Sequence, residues 1–221
     1  MTLLSRLALL AVLALSAPLP VSAQTKVFEA DTNHTSLGFR AATLLFKVDG
    51  TFRRWRTEIT GNPDDPKDAS VKVILYTNSI STKNKQRDEH LASEDFFDAA
   101  KYPRITFTSS KVVKEGGKVV VTGTLDMHGV KKELTIPFEP AFGKNGAGAD
   151  TWSYEGSIRI NRKDFGIGAD SVAAKISLKD EVELNLLLVG FFEEPKTAAP
   201  KTMTSKAMAK AMGAKPAKAG H

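Results

Sequence analysis

The stretch KVVVTGTLDMHGVKKELTIPF, Lys118 to Phe138, decides the fold. In its first half Val119, Val121, Leu125 and Met127 alternate with Val120, Thr122, Thr124 and Asp126; in its second, Leu134, Ile136 and Phe138 alternate with Glu133, Thr135 and Pro137. A period of two sends successive side chains to opposite faces, so each half predicts a strand with one apolar face. His128-Gly129 between them is a two-residue turn of the kind that folds such strands into a hairpin.

Working outward, the same period recurs. Val182, Leu184, Leu186 and Leu188 alternate with Glu181, Glu183 and Asn185, and similar stretches run over Val27–Asp31, Ser36–Ala41, Thr51–Thr60, Val71–Thr77, Arg104–Val113 and Trp152–Ile160. That makes about nine candidate strands. Glu115-Gly116-Gly117 supplies a second tight turn, so the order is a meander. Asn84–Ser93 resists the strand reading: it is polar, rich in helix formers (Lys85, Gln86, Arg87, Glu89) and predicts one or two helical turns. Many strands with one oily face require a sheet that buries that face against itself. The expectation is an all-β, closed antiparallel eight-stranded barrel with one or two short helices; alternation by itself leaves a two-sheet sandwich open.

The chain's charge is unevenly placed. Of 31 lysines and arginines, Arg6 lies in the N-terminal apolar segment and six lysines follow Pro195, whereas all 25 acids fall between Glu29 and Glu194. Residues 24–194 therefore carry 24 basic and 25 acidic side chains, and the formal charge of +6 belongs to the tail, which argues against a nucleic-acid-binding domain. Residues 1–23 have one arginine, an apolar run from Leu7 to Leu15, Pro18 and Pro20, and a small-residue ending, Val21-Ser22-Ala23. This is the form of a cleaved signal peptide, with the run about half of what a spanning helix needs. The expectation is export to the periplasm, a folded domain over 24–194 and a flexible Lys/Ala-rich tail over 195–221 suited to contact with an anionic membrane surface.

Chemistry is sparse. With no cysteine there is no disulfide, thiol nucleophile or cysteine-based zinc site. Nucleophile-elbow, phosphate-loop, zinc-protease and calcium-loop patterns are absent. Three histidines fall in the folded part: His34 reads as a hydrogen-bonding turn residue, His90 as a residue of the helical turn beside Arg87-Asp88-Glu89, and His128 as a turn residue. No catalytic residue, metal or cofactor is expected. An enzyme with His34 or His90 as general base, and a filled barrel serving as an interaction protein, are the competing classes.

Asn33-His34-Thr35-Ser36-Leu37-Gly38-Phe39, Gly50-Thr51-Phe52, Ser79-Ile80-Ser81-Thr82, Arg87-Asp88-Glu89-His90-Leu91, Asp95-Phe96-Phe97-Asp98, Tyr102-Pro103-Arg104-Ile105-Thr106-Phe107, Gly123-Thr124-Leu125, His128-Gly129-Val130 and Arg162-Lys163-Asp164-Phe165-Gly166-Ile167 occur in this order. In order and spacing they resemble the YceI-like proteins over about residues 26–190. The resemblance implies a lipocalin-like barrel, usually periplasmic, whose interior binds a long isoprenoid, an isoprenoid quinone or a similar amphipathic lipid without changing it. Two departures stand out: Ala41-Ala42-Thr43 occupies a place where many members carry basic or histidine residues, and Lys131 replaces a common threonine. Alternation then nominates a lumen lining: Phe39 and Phe52; Val73 and Leu75; Ile105 and Phe107; Val121 and Leu125; Ile136 and Phe138; and Ile158, Leu184 and Leu186. His34, Arg87, Asp88 and His90 are the candidates for head-group contact, and a second copy of the chain is a candidate partner.

Overall fold

The computed structural model describes residues 25–195, so the expected signal peptide over 1–23 and the expected tail beyond Pro195 lie outside the described residues. Eleven strands form one antiparallel sheet. They are β1 (Lys26–Ala30), β2 (Ser36–Thr43), β3 (Lys47–Phe52), β4 (Trp55–Gly61), β5 (Ser70–Tyr76), β6 (Ile80–Ser81), β7 (Arg104–Glu115), β8 (Lys118–Met127), β9 (Val130–Lys144), β10 (Asp150–Asn161) and β11 (Leu178–Glu193). The sheet closes, because β11 pairs with β10 on one edge and with β2 and then β1 on the other.

Eleven short strands amount to eight long ones. β1 and β2 lie end to end along β11, β3 and β4 lie end to end along them, and β5 and β6 continue the series. The result is an eight-stranded up-and-down barrel with three broken strands, which removes the free edges of an open sheet. Its two expected hairpins carry the left-handed residues a two-residue turn demands: Gly116 and Gly117 at φ 57° and 82°, His128 and Gly129 at 54° and 78°.

The breaks reset which residues face inward. In β3 Gly50 and Phe52 are buried, both even-numbered, whereas β4 buries the odd-numbered Ile59 and Gly61. The interruption at Arg53-Arg54 skips the phase, so Thr51–Thr60 is two strands rather than the single one its composition suggests. A bulge between Ser109 and Lys111 does the same in β7, which buries Ile105 and Phe107 before it and Val112 after it. Ser79 pins the break in β3/β4. Its hydroxyl accepts the Arg54 N–H at 3.0 Å and lies 2.7 Å from the Tyr76 carbonyl, while its own carbonyl accepts the Arg53 N–H at 3.0 Å.

Two helices stand at one end of the barrel, the end that also holds the β2–β3 and β8–β9 turns. Helix α1 (Lys85–Ala92) is the one Asn84–Ser93 predicts; the Asn84 side chain caps it by accepting the Arg87 N–H. Helix α2 (Val172–Ser177), capped by the Ser171 side chain on the Ala174 N–H, lies in the β10–β11 connection after a short 3-10 turn, Arg162–Phe165. The opposite end carries the β7–β8 and β9–β10 turns and the β4–β5 loop, where Pro66 is buried in a 3-10 turn.

Ser79 is 5% exposed, and its hydroxyl bonds both the Arg54 N–H and the Tyr76 carbonyl. Ser79→Ala leaves the Arg54 N–H without its acceptor at the break, so urea unfolding is expected to show a loss of about 1–3 kcal/mol.

Candidate functional site

The inner face of the barrel encloses an apolar cavity of about 210 Å³. At about 10–15 Å³ for each water-sized sphere, this has room for roughly fifteen to twenty such spheres in the rigid protein. Its walls come from every long strand: Phe28 and Leu37, Ile59, Val71, Val112, Val119, Met127, Leu134, Tyr154, Val182 and Leu188 are among them. Among the described residues Arg162 is the only charged one that borders it. The outer wall is the reverse, with ion pairs such as Lys118–Glu139 at 2.6 Å and Lys72–Glu58 at 3.2 Å between neighbouring strands. A polar exterior around an apolar interior inverts the arrangement of a membrane-spanning barrel.

Twelve of the thirteen residues nominated from alternation border the cavity: Phe39, Phe52, Val73, Leu75, Ile105, Phe107, Val121, Leu125, Ile136, Phe138, Leu184 and Leu186. Ile158 packs against the core without bordering the hollow. The period-two pattern missed contributions from outside the strands, above all Leu91, Phe96 and Phe97 around α1 and Pro63, Pro66 and Ala69 at the far end. Phe97 meets Phe52 edge to face at 6.1 Å.

What keeps the hollow open is a set of glycines on the inner face. Phe39, Phe107, Phe138 and Phe28 lay their rings over Gly50, Gly123, Gly156 and Gly190 of the adjoining strands; a Cβ on any of these glycines would lie 2.3–2.8 Å from the ring above it. Each ring therefore lies along the wall where a larger neighbour would push it toward the axis. The lumen is wide because its partners lack a single carbon.

The four polar candidates are not among the residues bordering the cavity; Arg87, Asp88 and His90 share α1, whereas His34 lies apart at the β1–β2 bend. His34 sits at the bend between β1 and β2 with Nδ1 2.6 Å from Asp31 Oδ2; that hydrogen bond and the Asn33 N–H hold the Asp31 carboxyl below its ordinary range. Asp88 accepts the Thr82 N–H and hydroxyl at 2.7 and 2.6 Å, and Arg87 donates to the Thr82 hydroxyl and carbonyl. These bonds tie α1 to β6. His90 pairs with Asp95 at 3.1 Å and sets its ring against Phe96. His128 places Nδ1 3.0 Å from the Phe165 carbonyl and stacks edge-on to Tyr102, joining two connections at the helical end. Among the described residues no group of three or more histidine, aspartate or glutamate side chains is arranged to hold a metal ion.

Arg162 is the polar feature that pattern reading did not single out. It is 3% exposed, and its guanidinium donates to the carbonyls of Lys179, Ile167, Ala174 and Leu178 and to Asp180 Oδ1. Burying a charge is tolerable only when every donor is engaged, and here the engagement staples the α2 segment to the start of β11. The carbonyls belong to residues up to seventeen positions away in sequence, so no local motif announces them.

This geometry defines a class: a closed β-barrel with a polar outside and an apolar chamber bordered, among the described residues, by a single charged side chain. A family model for the YceI-like domain matches residues 28–189, and the chain belongs to that family. Among its relatives, a UPF0312 protein of Vibrio parahaemolyticus is 34% identical over 180 residues, covering 77% of this chain and 93% of the relative. Protein YceI of Salmonella newport is 34% identical over 176 residues, 77% of this chain and 87% of the relative. Among solved structures, BcnA of Burkholderia cenocepacia superposes with a TM-score of 0.66 at 25% identity, covering 74% of this chain and all of that one. A polyisoprenoid binding domain from Saccharophagus degradans shares the fold, with a TM-score of 0.55 at 16% identity over 78% of this chain and 100% of its own.

Two outcomes test the site. Gly156→Ala places a Cβ 2.8 Å from Phe138 Cδ1 and Cε1, so it is expected to cost about 1–3 kcal/mol and to displace that ring inward; a crystal structure with a narrower lumen is the check. Tyr154, on the inner wall, has its phenol pushed from 10.0 to about 12 by burial, with Asp64 adding to the effect. The folded state then holds this proton more tightly than the unfolded one. Its contribution to stability is full below pH 10 and is lost as pH rises toward about 12. Phenolate absorbance should show one late tyrosine, and Tyr154→Phe should flatten the alkaline stability slope.

Proposed function

We propose that the barrel binds a long apolar chain, an isoprenoid or isoprenoid quinone, in its lumen and carries or sequesters it in the periplasm without chemical turnover. The observation that carries this reading is the chamber itself: closed by hydrogen-bonded strands, lined by aliphatic and aromatic side chains, and bordered among the described residues by one charge, each of whose nitrogens already has a partner. Such a site gains affinity from burial alone. Each methylene taken from water contributes about 0.8 kcal/mol, so twenty carbons give a gross gain of about 16 kcal/mol before the costs of ordering and association. Membership of the YceI-like family and the fold shared with a polyisoprenoid binding domain support a lipid as the occupant. The chamber of about 210 Å³ suits one chain rather than a bundle, with its length set by how far the chain emerges from an end. Export rests on the composition of residues 1–23.

Native mass spectrometry of gently purified protein, followed by lipid extraction, should detect an added apolar mass. Protein that is empty and takes up no isoprenoid on incubation would remove the proposal. Leu184 lies across the wall from Phe39 and Ile158, and Leu184→Trp is expected to reduce loading by blocking the lumen while the barrel still folds. His34→Ala combined with His90→Ala should leave most of the affinity, whereas a histidine-dependent catalyst would lose turnover.

A further inference from the structure

Among the described residues seven large apolar side chains are exposed, and five of them stand at the helical end of the barrel, Phe142 and Phe191 being the others. Leu44, Leu45 and Phe46, consecutive in the β2–β3 turn, are 73, 91 and 57% exposed. The Leu44 N–H donates to the Ser177 carbonyl at 3.1 Å, which holds this turn against the C-terminus of α2. On α2, Val172 and Ile176, four residues apart and so on one helix face, are 70 and 71% exposed. Nothing in the fold requires these five side chains to face water: a hairpin tip is ordinarily built from polar residues and glycine.

Charge identifies the occupant. Segments 43–47 and 172–179 contain Lys47, Lys175 and Lys179 and no carboxylate. All three lysines are exposed, and none enters an ion pair with another described residue. The neighbouring carboxylates Asp49 and Asp180 are engaged by Arg40 and by Arg162 with Lys163, and Asp170 precedes the helix cap. Apolar side chains at a tip with unpaired lysines on its shoulders match the boundary of an anionic bilayer, where the chains enter the acyl region and the ammonium groups reach phosphate. The patch is also continuous with the chamber: Thr43 is the cross-strand partner of Leu178, and both Leu178 and Ala41 border the cavity.

We infer that this end of the barrel docks on an anionic phospholipid surface, with Leu44-Leu45-Phe46 and the exposed face of α2 inserted at the interface. The docking goes beyond lumen binding and stands without it. If the lumen does hold a lipid, docking sets the chamber's helical end at the membrane from which the chain is taken or to which it is returned.

The absence of cysteine makes the test site-specific in the full chain. Leu45→Cys, labelled with an environment-sensitive fluorophore, is mixed with vesicles of phosphatidylglycerol and phosphatidylethanolamine, and Ala147→Cys in the β9–β10 turn marks the opposite end. Emission should shift to the blue at position 45 and not at 147, and the shift should be weaker on phosphatidylcholine vesicles. In flotation of unlabelled protein, Leu45→Ser with Phe46→Ser should reduce vesicle binding at least tenfold with melting temperature kept. Lys47→Gln and Lys175→Gln should each weaken the vesicle affinity read at the position-45 label about fivefold. No shift at 45, or an equal shift at 147, overturns the inference; so does a shift that needs no vesicles and grows with protein concentration, which assigns the patch to a second copy. Native mass spectrometry on the same variants separates the two readings, since isoprenoid loading should persist when Leu45 and Phe46 are serine.

Discussion

β11 is sixteen residues long, and no one strand could satisfy its second edge. β2 pairs with it from Leu178 to Leu187 and β1 from Gly190 to Glu193. At Val189, between the two, the chain turns away, and a side chain takes over the role of backbone. The Thr35 hydroxyl lies 3.1 Å from both the Val189 N–H and its carbonyl, accepting from one and donating to the other, while the Asp31 N–H reaches the same carbonyl at 2.7 Å. Unpaired backbone groups here would open a seam along the wall. Closure of the barrel at this point depends on the Thr35 bridge.

The three breaks on successive strands form a crease across the wall, and all have the same effect. At each, the chain leaves the ladder for a few residues and returns with the opposite parity facing inward. β1 to β6 are thus short segments, while β7 to β11 run long, broken in register only by the bulge in β7 and by an irregularity between Leu178 and Val182 of β11. The crease is held by polar contacts local to it: Thr35 at the first break, and Ser79 with the Arg54–Tyr76 ring contact at the other two.

Most of the wall was legible in the sequence because burial on one side writes a period of two into the composition. β8 to β11 show it without interruption, and the residues nominated there fall on the inner face. The pattern fails where parity resets. Thr51–Thr60 looks like one strand because Arg53 and Arg54 are the only sign of the break, and their charge is equally consistent with an outward face. Helix α2 is short and sits in a connection, though Ser171 followed by Val-Ala-Ala-Lys carried a capping signal. Arg162 was beyond reach, since its acceptors are assembled only when the β10–β11 connection folds back on itself. The polar candidates His34, Arg87, Asp88 and His90 show the converse: residues conspicuous in a sequence with little reactive chemistry are occupied in holding turns and a helix in place.

The inward glycines under Phe28, Phe39, Phe107 and Phe138 make the bore of this barrel a property of absent atoms. A channel narrowed by bulky side chains can be recalibrated only by repacking, because each large residue has many neighbours. One gauged by the seats beneath its rings changes in steps of one methyl, a seat at a time, with the scaffold intact. Related barrels can therefore diverge in bore through a handful of glycine-to-alanine exchanges, long before their surfaces or folds drift apart.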